Sequence, residues 1–134
     1  MPRIDRRSLL AGAAATATLA ATARARAADP VYQPDFSLKG KSVLITGCSS
    51  GFGRLAAELL ARQGAKVFAT MRGIPRPEAI GLMEVMAKDK LDIHIIGIDV
   101  TSDESCLYGV QVAEQINGGP IDVLVNNAGI GITS

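Results

Sequence analysis

The sequence is poor in the residues that build disulfide frameworks and metal centres. It has two cysteines, Cys48 and Cys106, and a single histidine, His94. The cysteines show no CxxC spacing and no wider framework, so they indicate neither a structural disulfide nor a metal site, and we interpret them as small packing residues. His94 alternates with isoleucines in an apolar stretch, which favours a place in the core or on a sheet face over catalysis or metal binding.

The chain also lacks a basic surface. Its formal net charge is +1, but five arginines fall within residues 1–27. Without that segment 9 basic and 12 acidic residues are left, a net charge of −3. Nucleic-acid-binding domains have a clustered basic excess, so we do not expect nucleic acid as a partner.

Residues 1–27 have the three parts of an export signal. Several arginines give a positive start, residues 9–23 form an Ala- and Thr-rich middle, and residues 25–27 form a small-x-small cleavage site. The pair Arg6-Arg7 followed by Ser-Leu-Leu resembles a bacterial twin-arginine signal, which predicts a periplasmic or otherwise exported protein. A stable membrane span needs about 20 strongly apolar residues, so none is expected here. An uncleaved anchor or a disordered Ala-rich tail is the alternative.

From Lys41 onward, strand patterns alternate with helix patterns. Residues 28–40 carry two prolines and no periodicity, and we interpret them as a linker. Four short apolar runs predict strands at 42–46, 66–71, 93–98 and 121–125. Helical apolar spacing and glycine or proline boundaries predict helices at 51–63, at 77–88 and from a Thr101 cap to about residue 117. Thr101 and Glu104 have capping-box spacing and are expected to start the third helix.

This alternation predicts βαβ units, a parallel sheet and right-handed crossovers. Residues 41–134 are therefore expected to form an α/β, Rossmann-like, doubly wound sheet with the strand order 3-2-1-4. Residues 121–125 would be its open apolar edge, and such an edge normally pairs with further strands. We therefore expect a sheet that is truncated after the fourth strand.

The joint between the first strand and the first helix is rich in glycine. Residues 46–53 read TGCSSGFG, which is close to the G-x-G-x-x-G dinucleotide fingerprint. Glycines let the backbone approach a diphosphate, and the helix N-terminus supplies unpaired N–H groups and a positive dipole end. Ser49 and Ser50 add hydroxyl donors. A tight turn needs glycine even without a ligand, so this pattern alone leaves both interpretations open.

The end of the second strand indicates which dinucleotide fits. In NAD-binding folds an acidic residue near this point holds the ribose hydroxyls, whereas an arginine accommodates the 2′-phosphate of NADP. The sequence here is Thr70-Met71-Arg72, with no carboxylate. We therefore predict NADP rather than NAD, with Arg72 as the selective residue. A solvated surface arginine is the alternative, and Arg76 is also near.

Three short motifs resemble those of the short-chain dehydrogenase/reductase family. TGCSSGFG is similar to its TGxxxGxG motif, residues 126–129 read NNAG like the motif after its fourth strand, and Asp99-Val100 matches a position that contacts the adenine. All three follow strands at the carboxyl edge, where open α/β sheets bind ligands. The resemblance covers about residues 38–131 and implies that residues 41–134 form a partial NAD(P)-binding Rossmann domain. With the arginine above, it implies a cofactor site made of Thr46, Gly47, Ser49, Ser50, Gly51, Phe52, Gly53, Arg72, Asp99, Val100, Asn126, Ala128 and Gly129.

The resemblance also implies a reaction, the reversible oxidation of a hydroxyl or reduction of a carbonyl. In the family a tyrosine is the general acid or base, a lysine four residues later depresses its pKa, and a serine polarises the carbonyl. Neither Tyr32 nor Tyr108 has a lysine at that spacing. We therefore assign no catalytic residue and no metal ligand, and expect the family's catalytic groups beyond Ser134.

Three functions fit this sequence. The chain is the NADP-binding half of an exported dehydrogenase or reductase, a dinucleotide-binding module without turnover, or an inert truncated product. Its TGCSSGFG and ATMR segments look more like the branch that acts on hydroxysteroids, retinoids and related apolar alcohols, which favours a small apolar alcohol or ketone as substrate of a full-length enzyme. A homo-oligomer is expected only if the missing half is present.

Overall fold

The computed structural model describes residues 36–129. The predicted export signal, most of the predicted linker and Tyr32 lie outside the described residues, as do residues 130–134. Within the described range, no helix combines the length and the apolar character that crossing a membrane requires.

In this part of the chain four strands alternate with three helices. In chain order they are β1 (Ser42–Ile45), α1 (Gly51–Arg62), β2 (Lys66–Met71), α2 (Pro77–Asp89), β3 (Ile93–Gly97), α3 (Asp103–Asn117) and β4 (Val123–Val125). Each predicted element is present, and β2 has the predicted bounds. The other bounds differ from the prediction by no more than about two residues, as is usual at fraying element ends.

The four strands form one parallel sheet in the order β3-β2-β1-β4. Ile45 of β1 is paired with Ala69 of β2 on one side and with Val125 of β4 on the other. The predicted fold class and strand order are therefore confirmed. A parallel sheet of this kind places the carboxyl ends of its central strands side by side at one edge.

Helices cover both faces of the sheet, which is why β1 and β2 are apolar on both sides. On one face, small residues of α1 and α2 such as Ala57 and Ala79 pack against Val43 and Val67. On the other face, α3 packs through Ala113 against a second apolar cluster. β4 lies at an edge and is less covered.

The start of α3 differs from the prediction. Its N-cap is Ser102, whose hydroxyl accepts a hydrogen bond from the backbone N–H of Ser105 at 3.2 Å. Thr101 instead donates to the Asp99 carboxylate through its backbone N–H at 3.0 Å and its hydroxyl at 2.7 Å. The predicted capping box of Thr101 and Glu104 is therefore wrong, because Asp99 holds Thr101 in the loop before the helix.

The histidine and the cysteines have the packing roles that the sequence indicated. His94 lies on β3 and stacks on Phe68, with 5.3 Å between ring centroids. Cys48 is fully buried, its thiol donates to a backbone carbonyl, and burial raises its pKa to about 11. Cys106 is half-buried, and both cysteines are free thiols.

Candidate functional site

A cleft of about 590 Å³ lies at the carboxyl ends of the strands. Its walls come from the turn between β1 and α1, the loop between β2 and α2, and the residues that follow β3 and β4. This volume lies in the range of roughly 300–1,000 Å³ that is usual for small-molecule sites. The carboxyl edge is also where open α/β sheets bind their ligands.

Most of the predicted site residues line this cleft. The predicted residues in its walls are Gly47, Ser49, Ser50, Gly51, Phe52, Arg72, Asp99, Val100, Ala128 and Gly129. Three others lie elsewhere: Thr46 and Gly53 are buried behind the lining, and Asn126 is exposed. Sequence reasoning missed the further lining residues Met71, Arg76, Ile98, Thr101 and Asn127.

Two glycines allow the β1–α1 turn to approach the segment after β4. Gly47 has φ +74°, and a Cβ there would lie 2.8 Å from the Cα of Ala128. At Gly53 a Cβ would lie 2.5 Å from Asn127 Nδ2 and still closer to the carbonyl oxygen of Gly47. Real Cβ atoms do not approach backbone so closely, so both positions require glycine for packing, apart from any role toward a ligand.

Thr46 and Asn127 fasten the two walls together. The Thr46 hydroxyl accepts hydrogen bonds from the backbone N–H groups of Asn127 and Ala128, both at 3.0 Å. In return, Asn127 Nδ2 donates to the carbonyl oxygens of Thr46 at 3.1 Å and Gly47 at 3.3 Å. These bonds fix the separation of the two walls. Nothing in the sequence distinguishes Asn127 from its neighbour Asn126, which explains why its role was missed.

The N-terminus of α1 faces the cleft with unpaired donors. Ser50 is its N-cap residue, but the Ser50 side chain makes no capping hydrogen bond, and the first turn contains no acidic residue. By contrast, α3 is capped by Ser102 and has Asp103 and Glu104 in its first turn. An uncapped helix N-terminus without acidic neighbours is favourable for an anion. The first turn of α1 is therefore the better anion site of the two.

Arg72 and Arg76 add positive charge at the β2–α2 loop. Arg72 is exposed, and no carboxylate of residues 36–129 lies within ion-pair distance of it. Arg76 instead makes a two-pronged ion pair with Glu78, with N–O distances of 2.9 and 3.0 Å. The hydrogen bond from Arg76 lowers the pKa of the Glu78 carboxyl, and the same bond raises the pKa of Arg76. Arg72 is thus the guanidinium whose charge is not already paired with a carboxylate in this part of the chain.

Asp99 is held at the end of β3 by its own neighbours. Its carboxylate accepts two hydrogen bonds from Thr101, one from the backbone N–H and one from the hydroxyl. The backbone N–H of Asp99 donates to the Ser105 hydroxyl at 2.9 Å. The Thr101 bonds lower the pKa of Asp99, and the charge of Arg72 adds a smaller effect in the same direction. Asp99 is therefore ionised near neutral pH, and its position is set by the loop.

The described lining of the cleft contains no tyrosine, lysine, histidine or cysteine. What it offers is unpaired backbone donors, two serines, one arginine without a partner and apolar side chains such as Val100. This arrangement favours the binding of an anionic, partly apolar ligand over general acid–base chemistry.

Comparisons with known proteins show that the chain is similar to dehydrogenases and reductases. The family model described as short chain dehydrogenase matches residues 41–134. Retinol dehydrogenase 8 of Bos taurus is 43% identical over 97 residues, which cover 69% of this chain and 29% of that protein. NADPH-dependent aldehyde reductase 1, chloroplastic, of Arabidopsis thaliana is 40% identical over 103 residues, which cover 72% of this chain and 35% of that protein.

Solved structures of dehydrogenases are also similar to this chain in fold. The crystal structure of a hydroxysteroid dehydrogenase from Escherichia coli superimposes with a TM-score of 0.64 at 28% identity, covering 72% of this chain and 40% of that one. The crystal structure of a dehydrogenase/reductase from Sinorhizobium meliloti superimposes with a TM-score of 0.65 at 31% identity, covering 70% of this chain and 36% of that one. The chain spans about a third of the length of the curated relatives described above.

Proposed function

Because the chain belongs to the short-chain dehydrogenase family of NAD(P)-dependent oxidoreductases, we propose that its cleft binds NADP(H). In this proposal the chain is the dinucleotide-binding part of an enzyme that interconverts alcohols and carbonyls. One observation carries the proposal: an uncapped helix N-terminus behind a glycine turn shares a cleft with Arg72, an arginine that has no carboxylate partner among the described residues.

Each wall of the cleft has a part in this proposal. The diphosphate lies against the turn from Gly47 to Phe52, where backbone N–H groups and the hydroxyls of Ser49 and Ser50 serve as donors. The adenine lies beside Asp99 and Val100. The segment of Asn127, Ala128 and Gly129 is the third wall. Thr46 holds it from behind, and Gly53 leaves room for its close approach.

Arg72 is the residue that we propose selects NADP over NAD. Its guanidinium would bind the 2′-phosphate, since an arginine at the end of the second strand suits that group and a carboxylate there would suit a ribose hydroxyl. The name of the Arabidopsis relative, an NADPH-dependent reductase, supports this preference.

These 134 residues contain no YxxxK pattern. We therefore propose that they bind and orient the dinucleotide without proton transfer to a substrate. The nicotinamide supplies the hydride chemistry when it is bound. Two relatives, a retinol dehydrogenase and an aldehyde reductase, support a small apolar alcohol or ketone, or a related aldehyde, as the substrate of a complete enzyme.

For residues 1–27 we propose export by the twin-arginine route. The support is the Arg6-Arg7 pair, the apolar middle and the small-x-small site of the sequence. Expression in a bacterium should give a periplasmic product shortened at about residue 27. Replacing Arg6 and Arg7 with lysine should keep the full-length chain in the cytoplasm, and unchanged export of that variant would contradict this route.

The dinucleotide proposal is tested by titrating the purified chain with NADPH and with NADH while nicotinamide fluorescence is followed. We expect saturable binding, tighter for NADPH, and no turnover when an alcohol is added to the chain with NADP. Arg72→Ala should weaken NADPH by about ten- to a hundredfold, the effect of losing hydrogen bonds to a charged group, and should leave NADH nearly unchanged.

Arg62→Ala is the matched control, because Arg62 pairs with Asp89 at the far end of α1 and should affect neither affinity. Equal losses for the two dinucleotides in Arg72→Ala would remove the NADP assignment. A chain that binds neither dinucleotide would support an inert product, and turnover by these residues alone would contradict the proposed division of roles.

A further inference from the structure

The loop between β2 and α2 is closed by one of its own side chains. Arg72 directly follows β2, and Arg76 is the N-cap residue of α2. Arg76 Nη1 donates a hydrogen bond to the carbonyl oxygen of Arg72 at 3.0 Å. The guanidinium of Arg76 thus joins the two ends of the loop, and both arginines line the cleft.

Glu78 holds the same guanidinium from its other side. Arg76 Nε donates to Glu78 Oε2 at 2.9 Å, and Arg76 Nη2 donates to Glu78 Oε1 at 3.0 Å. The planar guanidinium makes these bonds in a fixed fork, a geometry that lysine does not provide. The two side chains are 31% and 39% exposed, so solvent screens their attraction and the pair adds little to stability. What the pair provides is orientation of the loop.

Glu78 is itself anchored to the helix that forms the opposite wall. Arg54 of α1 donates through Nη1 to the carbonyl oxygen of Glu78 at 3.2 Å. Arg54 Nε is held by Glu58 one turn further along α1, at 3.1 Å. A continuous series of hydrogen bonds therefore runs from α1 through Arg54, Glu78 and Arg76 to the backbone of Arg72.

We propose that Arg76 and Glu78 are positioning residues for dinucleotide selectivity and that they act through Arg72. Together they fix the backbone of residue 72 and so hold its guanidinium at the rim of the cleft. Glu78 and the Arg72 carbonyl take three of the five N–H donors of Arg76, and Glu78 neutralises its charge, whereas Arg72 has no ion-pair partner among the described residues. Arg72 is therefore the better donor to the phosphate. This inference rests on the proposed function, in which Arg72 binds the 2′-phosphate.

The test uses Glu78→Gln and Arg76→Lys in the full chain, each titrated with NADPH and with NADH. We expect the preference for NADPH over NADH to fall about three- to tenfold in each variant while NADH affinity is unchanged. In an Arg72→Ala background the same substitutions should produce no further change in that preference. Arg62→Lys, which alters a different cross-helix pair, should leave it at the wild-type value.

The outcomes separate this inference from the function on which it rests. A stronger preference for NADPH in Glu78→Gln would mean that a released Arg76 contacts the phosphate itself, and it would overturn the inference. Additive effects with Arg72→Ala would overturn it as well. Failure of the proposed function appears elsewhere, as an Arg72→Ala chain with an unaltered preference.

A second measurement does not depend on dinucleotide binding. Amide hydrogen exchange of the ligand-free chain reports how well the loop is held. Residues 72–76 should exchange faster in Glu78→Gln and in Arg76→Lys than in the wild type, with the strands unchanged. Equal exchange rates in this loop would overturn the positioning role whatever the titrations give.

Discussion

The two ends of β1 are each joined to the segment around β4 through a hydroxyl side chain, but the two joints differ in chemistry. At the amino end, Ser42 donates to the Asp122 carboxylate through its backbone N–H at 2.8 Å and its hydroxyl at 2.9 Å. Asn117, at the end of α3, also donates to the Ser42 hydroxyl. At the carboxyl end, the Thr46 hydroxyl accepts from two backbone N–H groups.

This difference matches what lies beside each joint. The amino-end joint contains a carboxylate and is filled by side chains, so its strength should depend on pH. The carboxyl-end joint uses uncharged groups and glycines, and therefore adds no negative charge beside the uncapped start of α1. Binding of an anionic ligand is therefore favoured at the carboxyl end of β1, where the hydrogen-bonded groups carry no negative charge. The pair of β1 and β4 is thus held by a charged set of hydrogen bonds at its amino end and forms a wall of the cleft at its carboxyl end.

The largest effect on this comparison is expected from Gly53→Ala. A Gly→Ala change inside a helix ordinarily stabilises it by up to about 1 kcal/mol. Here the new Cβ would meet Asn127 Nδ2 and the Gly47 carbonyl, so we expect a destabilisation of about 1–3 kcal/mol and loss of NADPH binding. Urea unfolding and NADPH titration measure the two effects.

Gly119→Ala is the control for that substitution. A Cβ at Gly119 meets no atom within 4 Å, and the residue lies away from the cleft. Its unfolding free energy should stay within about 0.5 kcal/mol of the wild type. If Gly53→Ala were as stable as Gly119→Ala, close packing of the two walls would not be what requires glycine at residue 53.

Thr46→Val tests the neutral joint directly. The substitution leaves the backbone N–H of Ala128 without its acceptor, whereas the N–H of Asn127 keeps the carbonyl oxygen of Val125 at 3.1 Å. The loss should cost about 1–2 kcal/mol. Thr46→Ser keeps the hydroxyl and should recover most of the loss in urea unfolding. No loss in Thr46→Val together with a clear loss in Thr46→Ser would show that the methyl group, and not the hydrogen bonds, stabilises this end of β1.

Both joints show which parts of the molecule the sequence could predict. Apolar runs and glycine or proline boundaries are local signals, and they were sufficient for the type and approximate bounds of every element. Most of the predicted residues in the cleft walls came from short motifs that resemble those of the family. β4 begins at Val123 and not at residue 121, and Asp122 is hydrogen-bonded to a serine 80 residues away. No local pattern contains such a contact.

The missed cleft residues have the same explanation. Asn127 acts through bonds to Thr46 and Gly47, about 80 residues earlier in the chain. Arg76 lines the cleft because of a loop closure and an ion pair with Glu78, which a list of charges along the chain does not reveal. Motifs identify residues whose roles recur, whereas these residues depend on side-chain partners that only the folded chain brings together.

A smaller effect is expected at the amino end, where Asp122→Asn tests the charged joint. Hydrogen bonds from Ser42 lower the pKa of Asp122 in the folded chain, so the folded state binds a proton less readily than the unfolded state. The resulting stability is fully present above the unfolded pKa of about 4 and is lost as the pH falls below it. The stability difference between wild type and Asp122→Asn should therefore shrink between pH 6 and pH 3.

Urea midpoints measured across that pH range check the prediction for Asp122. Glu78 and Asp99 also have lowered pKa values, from hydrogen bonds with Arg76 and Thr101, so the variant should still lose stability in acid. Only the difference in stability between the wild type and Asp122→Asn at each pH reports the contribution of the Asp122 carboxylate. A difference that stays constant from pH 6 to pH 3 would contradict a charged joint at this end.

The smallest effect is expected from Thr70→Val, on the strand beside β1. Thr46 and Thr70 directly follow the paired residues Ile45 and Ala69, yet the Thr70 hydroxyl is buried and has no hydrogen-bond partner among the described residues. Removing an unpaired buried hydroxyl relieves a desolvation cost, so we expect Thr70→Val to be neutral or to stabilise the chain by up to about 1 kcal/mol. Thr46→Val has the opposite expected sign, and urea unfolding of the two variants compares them directly. A comparable loss in both would mean that a hydroxyl at a strand end is stabilising whether or not it joins neighbouring segments, and the contrast drawn from the Thr46 joint would fail.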